Sequence, residues 1–127
     1  MDENKTYFDV NVLVEVVEQR AKAKPAKNAL MGCTDRYISS LTVHMFMYFE
    51  LKIFSGVHLE KFLYDFTIFD FTASDVSWAF KNCRSDDFED ALQIAVAIRN
   101  GCSTFVTLDR QLAKSYGDLP TLKIKLL

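Results

Sequence analysis

The sequence predicts a three-layer α/β/α sandwich built around a central, mostly parallel sheet. Short runs of β-branched and aromatic residues alternate with helical stretches, which is the pattern of parallel strands joined by crossover helices. The clearest predicted helix, over 87–100, carries alanines at 91, 95 and 97, and such small side chains let a helix approach a sheet closely. A length of 127 residues suits one hydrophobic core, so we expect a single domain over residues 1–127.

The first half of the chain supplies two predicted strands and three helical stretches. In chain order these are a strand over 6–10, a helix over 12–20, a helical stretch over 21–31, a strand over 37–41 and a hydrophobic helix over 42–54. Pro25 is expected to break the stretch over 21–31, because a proline inside a helix removes a backbone hydrogen bond.

The second half continues the same alternation of helices and strands. In chain order it supplies a helix over 59–65, a strand over 66–71, helices over 75–83 and 87–100, a strand over 104–108, a short helix over 109–116 and a final strand over 122–127. Thr72 or Ser74 is expected to cap the helix over 75–83, and Gly101 is expected to close the next one.

Composition excludes several functional classes. Fifteen Lys and Arg against seventeen Asp and Glu give a net charge of −2, so a polyanionic partner must be bound locally. Three cysteines with no CxxC pair give neither a disulfide framework nor a zinc motif, and no signal peptide is recognisable. No run of about 18 apolar residues occurs, so we expect a protein of the reducing cytoplasm without a membrane segment.

Four acidic residues from three separate segments are predicted to meet at one edge of the sheet. Asp9 ends the first strand and Asp109 follows the fourth, whereas Asp87 and Asp90 lie three residues apart in the first turn of a helix. Ligands of parallel sheets gather outside the carboxyl ends of the strands. We therefore expect these carboxylates to face one another.

Carboxylates that meet without a lysine or arginine repel one another, and burial increases the repulsion. Mg²⁺ or Mn²⁺ removes the problem, because hard divalent cations prefer carboxylate and water oxygens. A metal held in this way can activate water and stabilise a phosphate under attack, as in metal-dependent nucleases. An acidic protein can thus hold a phosphodiester through its cation.

Each acid also has an ordinary structural explanation. Asp87 suits the N-terminal turn of a helix, where an acid complements the helix dipole, and Asp109 can cap the short helix that follows it. Asp9 lies between apolar residues, where a carboxylate is costly unless it is paired or bound to a metal. The coincidence of the three placements favours a shared site.

The segments that carry these acids resemble the PIN-domain family, of the VapC-like toxin sort. The opening YFDVNVLVEVV is similar to the family's strand followed by Asp-x-Asn-x-Leu. The segment DFEDALQIAVAIRNGCSTFVTLDRQLAK is similar to its helix, glycine, strand and Thr-x-Asp ending, and YISSLTVHMFMYFEL to its second strand and following helix. The similarity covers nearly the whole chain and is weaker over 21–36 and 58–70.

The resemblance implies an activity and the residues that perform it. Asp9, Asp90 and Asp109 match the catalytic, metal-binding acids of a Mg²⁺- or Mn²⁺-dependent endoribonuclease, and Asp87 is a weaker member of the metal site. Asn11 and Thr107 match positions that orient these acids through hydrogen bonds, so the resemblance gives them a supporting role in the site.

The resemblance also implies partners. These are an RNA substrate, an antitoxin of a toxin–antitoxin pair and a second copy of the chain, for which some of the residues 46–49 would supply a hydrophobic dimer surface. The basic stretch 19–27 either contacts RNA phosphates or is an ordinary solvated surface.

One departure from the family pattern bears on activity. Many members place a glutamate where this chain has Met45, which removes one carboxylate from the site. Glu50 lies five residues further, roughly 140° around the helix, and is a poor substitute. His44 is either a ligand or phosphate contact, or a histidine packed among aromatic residues.

Met45 therefore leaves a second reading open, a PIN-like module with weakened catalysis that binds RNA or a protein partner. A third class, phosphoryl transfer through an aspartate, is disfavoured because Asp9-Val10-Asn11 lacks the second aspartate of that motif. No lysine follows a late strand at the position that such chemistry needs, and no GxGxxG or P-loop motif indicates a nucleotide.

Overall fold

The computed structural model describes residues 5–127, and at its centre lies a five-stranded sheet with order β3-β2-β1-β4-β5. The strands are β1 (Thr6–Phe8), β2 (Arg36–Ser39), β3 (Phe66–Phe69), β4 (Thr104–Thr107) and β5 (Lys123–Leu126). Every neighbouring pair is parallel. The predicted fold class is confirmed, and β1 occupies the central position between β2 and β4.

Helices connect the strands. They are α1 (Val10–Val17), α2 (Ala23–Met31), α3 (Ser40–Glu50), α4 (Gly56–Leu63), α5 (Ala73–Asn82), α6 (Phe88–Arg99) and α7 (Arg110–Ser115). The longest described helix, α6, has 12 residues, whereas a bilayer span needs about 20; no described helix can cross a membrane.

Two apolar clusters, one on each face of the sheet, form the core. Side chains of a strand alternate between faces, so Tyr7 and Phe105 enter one cluster while Phe8 and Val106 enter the other. Helix α6 packs against the first of these faces, where Ala91 and Ala97 are fully buried and Ala95 is 3% exposed. The small side chains therefore have the packing role that the sequence indicated.

Two local predictions were wrong. Helix α2 is continuous, because Pro25 lies in its first turn, where the backbone N–H that proline lacks has no helical partner. Helix α3 ends at Glu50 and not at residue 54, because the chain turns there: the N–H groups of Ile53 and Phe54 both bond to the Glu50 carbonyl.

Candidate metal centre

Asp9 lies at the carboxyl end of the central strand, where β1 passes directly into α1. Its backbone N–H donates to the Val106 carbonyl at 2.9 Å, which extends the β1–β4 pairing by one residue. Its side chain is 3% exposed. The sheet thus holds this carboxylate in a fixed and nearly dry position.

Three side chains donate hydrogen bonds to the Asp9 carboxylate. The Thr107 hydroxyl and the Asn11 amide donate to Oδ2 at 2.8 and 3.2 Å, and the Gln93 amide donates to Oδ1 at 3.0 Å. Burial raises the pKa of Asp9 above its ordinary value, the hydrogen bonds from Thr107 and Gln93 oppose the rise, and Asp109 adds to it.

Asn11 and Thr107 also join the ends of β1 and β4. The Asn11 amide donates to the Thr107 hydroxyl at 3.3 Å, and its carbonyl oxygen accepts from the Leu108 N–H at 3.1 Å. The Thr107 hydroxyl in turn accepts from the Asp109 N–H at 2.9 Å. These bonds link Asp9 to the backbone of Asp109, so the two acids are positioned by one network.

Gln93 is a positioning residue that the sequence reasoning missed. It is 1% exposed, and its carbonyl oxygen accepts from the hydroxyls of Thr42 at 3.4 Å and Tyr7 at 3.5 Å. These two donors fix the orientation of the amide, so its NH₂ group faces Asp9. A lone polar residue on the apolar face of α6, three residues after Asp90, was the signal for it.

Asp109 follows β4 and caps α7, as we expected from one of the two interpretations of this residue. Its Oδ1 accepts from the backbone N–H groups of Gln111 and Leu112 at 2.9 and 3.1 Å. Both cap bonds end on the same oxygen. Capping and cation binding are therefore compatible at this residue, because a carboxylate has a second oxygen to offer.

Asp87 and Asp90 both lie at the start of α6, but their environments differ. Asp87 is exposed and caps the helix, with Oδ1 accepting from the Glu89 N–H at 3.0 Å. Asp90 is 7% exposed. Burial, followed by the charges of Asp87, Asp9, Asp109 and Glu89, raises the pKa of Asp90 to about 8.

A cavity of about 380 Å³ brings three of the four predicted acids to one surface. Asp87, Asp90 and Asp109 line it, and Asp9 is not among its lining residues. Arg84 also lines the cavity, but its guanidinium forms a salt bridge with Asp118 and lies over the ring of Tyr116. The guanidinium of this lining arginine is thus engaged by other groups.

The carboxylates of the candidate metal centre are ligands that a hard divalent cation prefers, but in this structure they do not surround a common centre. Within residues 5–127, no three His, Cys, Asp or Glu side chains are grouped closely enough to hold a metal ion as they stand. The raised pKa of Asp90 nevertheless shows that its carboxylate is within electrostatic reach of Asp9 and Asp109. Cation binding would therefore require side chains such as the exposed Asp87 to turn toward a common centre.

Three residues of α3 bear on the carboxylate that this chain lacks at position 45: Met45 itself, His44 and Glu50. Met45 is 6% exposed yet belongs to neither apolar cluster. His44 is exposed, so the interpretation that packs it among aromatic residues was wrong. His44 also opposes the rise in the pKa of Glu89 that burial and neighbouring acids cause. The charges that shift the pKa of Glu50 are those of Glu18 and Arg20, so Glu50 does not replace the missing carboxylate at the sheet edge.

Solved structures similar to this chain include toxin–antitoxin proteins. A toxin–antitoxin complex from Klebsiella pneumoniae matches with a TM-score of 0.75 and 20% identity, over 92% of this chain and 94% of that chain. VapBC2 from Rickettsia felis, bound to a DNA fragment from its promoter, matches with a TM-score of 0.71 and 19% identity, over 96% and 98% of the two chains.

A third structure is VapC20 from Mycobacterium tuberculosis, described as a toxin that cleaves the sarcin–ricin loop. It matches with a TM-score of 0.71 and 13% identity, over 86% of this chain and 93% of that chain. A comparison with curated protein sequences gives no significant match. At these identities the structures establish the fold alone.

Together, the parallel sheet and the acids at its carboxyl edge define an α/β protein with a candidate metal centre. The model of the PIN domain matches residues 6–117, which is most of the chain. The chain therefore belongs to the PIN-domain family, and the resemblance seen in the sequence is confirmed.

Replacing Gln93 with leucine tests the network around Asp9. The change removes a donor from a buried carboxylate, so the folded-state pKa of Asp9 rises further and its ionisation costs more stability. We expect a loss of about 1–3 kcal/mol at pH 8 in metal-free buffer, and a smaller loss near pH 4, because the raised pKa of Asp9 favours its protonated form as the pH falls. Chemical denaturation at the two pH values measures the difference.

The matched control is Gln111→Leu, because Gln111 is exposed and lines the same cavity as the acids. This control should change the free energy of unfolding by less than about 0.5 kcal/mol at either pH. Equal losses for Gln93→Leu at pH 4 and pH 8 would show that the Gln93 amide does not stabilise the ionised Asp9.

Proposed function

We propose that the protein is a metal-dependent endoribonuclease that hydrolyses RNA phosphodiesters and acts as the toxin of a toxin–antitoxin pair. The observation that carries this proposal is the raised pKa of Asp90, which results from burial, from Asp87 and Glu89 of its own segment, and from Asp9 and Asp109 of two other segments of the chain. Such an arrangement is costly in the protein alone and becomes favourable when a divalent cation is bound.

In this proposal Asp9, Asp90 and Asp109 are the catalytic acids, and Asp87 joins them as a metal ligand. When bound, Mg²⁺ or Mn²⁺ would neutralise the charge that develops on the phosphate. Asn11 and Thr107 donate hydrogen bonds to the Asp9 carboxylate and so orient it. At neutral pH without a cation, the Asp90 carboxyl holds a proton, and a cation that binds there would displace this proton. The affinity for the cation would therefore rise with pH.

The proposed macromolecular partners are RNA, an antitoxin and a second copy of the chain. The antitoxin is supported by the similarity to chains solved in toxin–antitoxin complexes. A homodimer is supported by exposed apolar side chains at the end of α3, where Tyr48 is 63% and Phe49 49% exposed. Because the proposed substrate is RNA, we place the activity in the cytoplasm.

RNA cleavage in the presence of Mn²⁺ tests the activity. Asp9→Asn keeps the shape of the side chain and removes its charge, so we expect the cleavage rate to fall by at least about 100-fold. The exposed acid Asp86, which lines the same cavity, supplies the control Asp86→Asn, and this variant should cleave at nearly the parental rate. Equal cleavage by the parental protein and Asp9→Asn would reject the nuclease.

A second candidate function is a PIN-like module that binds RNA or a protein partner with little or no turnover. It is favoured by Met45, which is buried and stands where many family members have a metal-binding glutamate. The two candidates differ in their response to a divalent cation, since only the nuclease needs one bound tightly.

Thermal melting separates the two candidates through Asp90. With a folded-state pKa of about 8, Asp90 stays protonated in the metal-free folded protein while it ionises in the unfolded chain, so the free energy of unfolding falls as the pH rises toward 8. Asp90→Asn should therefore melt above the parental protein at pH 8 without metal, and this advantage should shrink toward pH 4. Mn²⁺ at 100 times its Kd should stabilise the parental protein by about 2.7 kcal/mol and leave the variant unchanged.

A parental protein that gains no stability from millimolar Mn²⁺ would favour the binding module. Stabilisation that persists in Asp90→Asn would place the cation elsewhere in the protein.

A further inference from the structure

One face of the edge strand β5 carries two exposed lysines. Side chains of a strand alternate between the two faces of a sheet, and Ile124 packs with the apolar cluster that contains Tyr7. Lys123 and Lys125 therefore lie on the opposite face, and both are exposed. They line a cavity of about 260 Å³ beside the end of α2, which we call the α2–β5 cavity, together with Thr6, Ala29, Cys33, Thr104 and Val106.

The two lysines of the α2–β5 cavity have no acidic partner. No Asp or Glu is among the residues that line the cavity, and within residues 5–127 neither lysine forms a salt bridge. Like charges on alternate residues of a strand are about 7 Å apart and repel each other, so they do not stabilise the strand. In the protein alone, their one use is to keep this edge strand from pairing with another strand.

Lys22 brings a third lysine to this side of β5, close to the candidate metal centre. It precedes α2, which packs on this face of the sheet, and its ammonium donates to the Leu127 carbonyl at 3.1 Å. The Leu127 N–H donates to the Thr107 carbonyl at 3.0 Å, and the Thr107 hydroxyl donates to Asp9. Lys22 is therefore linked through two residues to the network that holds Asp9.

The three lysines form a row that leads away from the acids. In the parallel pairing of β5 with β4, Lys125 lies opposite Val106 and Lys123 opposite Thr104. At about 3.3 Å per residue, Lys125 is about 7 Å and Lys123 about 13 Å along the strand from residue 127, where Lys22 binds. We call these three side chains the lysine row. Cations repeated along a line match the repeated phosphates of a nucleic-acid backbone.

The Lys22 end of the row borders a second acidic cavity, the α1–α3 cavity, which has a volume of about 610 Å³. The acids that line it are Glu15, Glu18, Glu50 and Asp109. The Glu15 carboxylate accepts from the backbone N–H of Lys22 at 2.7 Å, and Arg20, which also lines the cavity, is paired with Glu18. Because these acids repel phosphates and the lysine row attracts them, a strand that leaves the metal centre is directed along β5.

We propose that the lysine row binds the phosphate backbone of the RNA beside the position of cleavage. That the polyanion is RNA rests on the proposed function, whereas the attraction of a polyanion to the row does not. A protein of net charge −2 needs such a local cationic surface, because a cation at the acids would neutralise only the phosphate under attack. Ammonium groups contact phosphates as point charges, so the row positions the strand and reads no base.

The affinity for RNA without divalent metal tests the lysine row. The probe is a fluorescein-labelled single-stranded RNA of about twelve nucleotides, and fluorescence anisotropy in EDTA measures its Kd without cleavage. The row variant combines Lys22→Gln, Lys123→Gln and Lys125→Gln. In about 50 mM salt we expect its Kd to rise at least about tenfold. The slope of log affinity against log salt should become about 2 smaller, since each phosphate contact contributes about 0.7.

The matched control replaces three exposed lysines on other elements with glutamine: Lys61 on α4, Lys81 on α5 and Lys114 on α7. It has the same net charge as the row variant, so any loss due to overall charge is equal in the two. We expect its Kd to rise by less than about threefold. In NMR titrations of the parental protein, the RNA should shift the amide signals of residues 22, 104–106 and 123–125.

Three outcomes would overturn the proposal. Equal losses in the row variant and the control would mean that only overall charge matters. Unchanged RNA affinity in the row variant would leave the lysines with the protection of the edge strand, which self-association of that variant would reveal. NMR shifts centred on another surface would place the RNA elsewhere.

If the row variant fails to fold, the double variant Lys123→Gln and Lys125→Gln gives the same comparison, with a slope about 1.4 smaller. The assay contains no divalent metal and measures no cleavage. Its failure is therefore distinct from failure of the nuclease, which Asp9→Asn tests.

Discussion

The carboxyl edge of the sheet must hold several acidic side chains within electrostatic reach of one another, and two of them, Asp9 and Asp90, lie where water has little access. Asp9 is fixed there by the central strand, and the network of Thr107, Asn11 and Gln93 stabilises its charge from within the protein. Within residues 5–127 no comparable network supports Asp90, whose pKa is raised to about 8. The folded chain therefore carries electrostatic strain at this edge, which the proposed divalent cation would relieve. Strain of this kind reduces stability in the free protein, and it is typical of sites that are shaped for a ligand and not for folding.

Two acidic cavities meet at Asp109, and their chemistry differs. The first is lined by Asp109 at the end of β4 and by Asp87 and Asp90 at the start of α6, and these carboxylates are the ligands that a hard cation prefers. In the second, Glu50 and Glu18 lie at the C-terminal ends of two helices and are bordered by exposed apolar side chains.

The sequence was sufficient for the fold and for the candidate acids, because both follow from local patterns. Alternating strands and helices predict a parallel sheet, and the ends of its strands predict where Asp9 and Asp109 lie. Helix boundaries were less predictable: Pro25 falls in a first turn, where it is harmless, and the turn after Glu50 has no glycine or proline to announce it within residues 51–54. Gln93 and the pairing of Glu50 with Glu18 escaped prediction because each depends on contacts between segments distant in the chain, which a single sequence does not reveal.

Paramagnetic broadening by Mn²⁺ tests most directly whether the acids at the sheet edge share one cation. Manganese shortens the relaxation of nearby nuclei, so backbone amide signals report the position of the ion. The account predicts that substoichiometric Mn²⁺ broadens the signals of residues 9, 87–90 and 107–109 first, and that excess Mg²⁺ restores them. Broadening that instead centres on residues 15–18 and 50, or that spreads evenly over the surface, would contradict it.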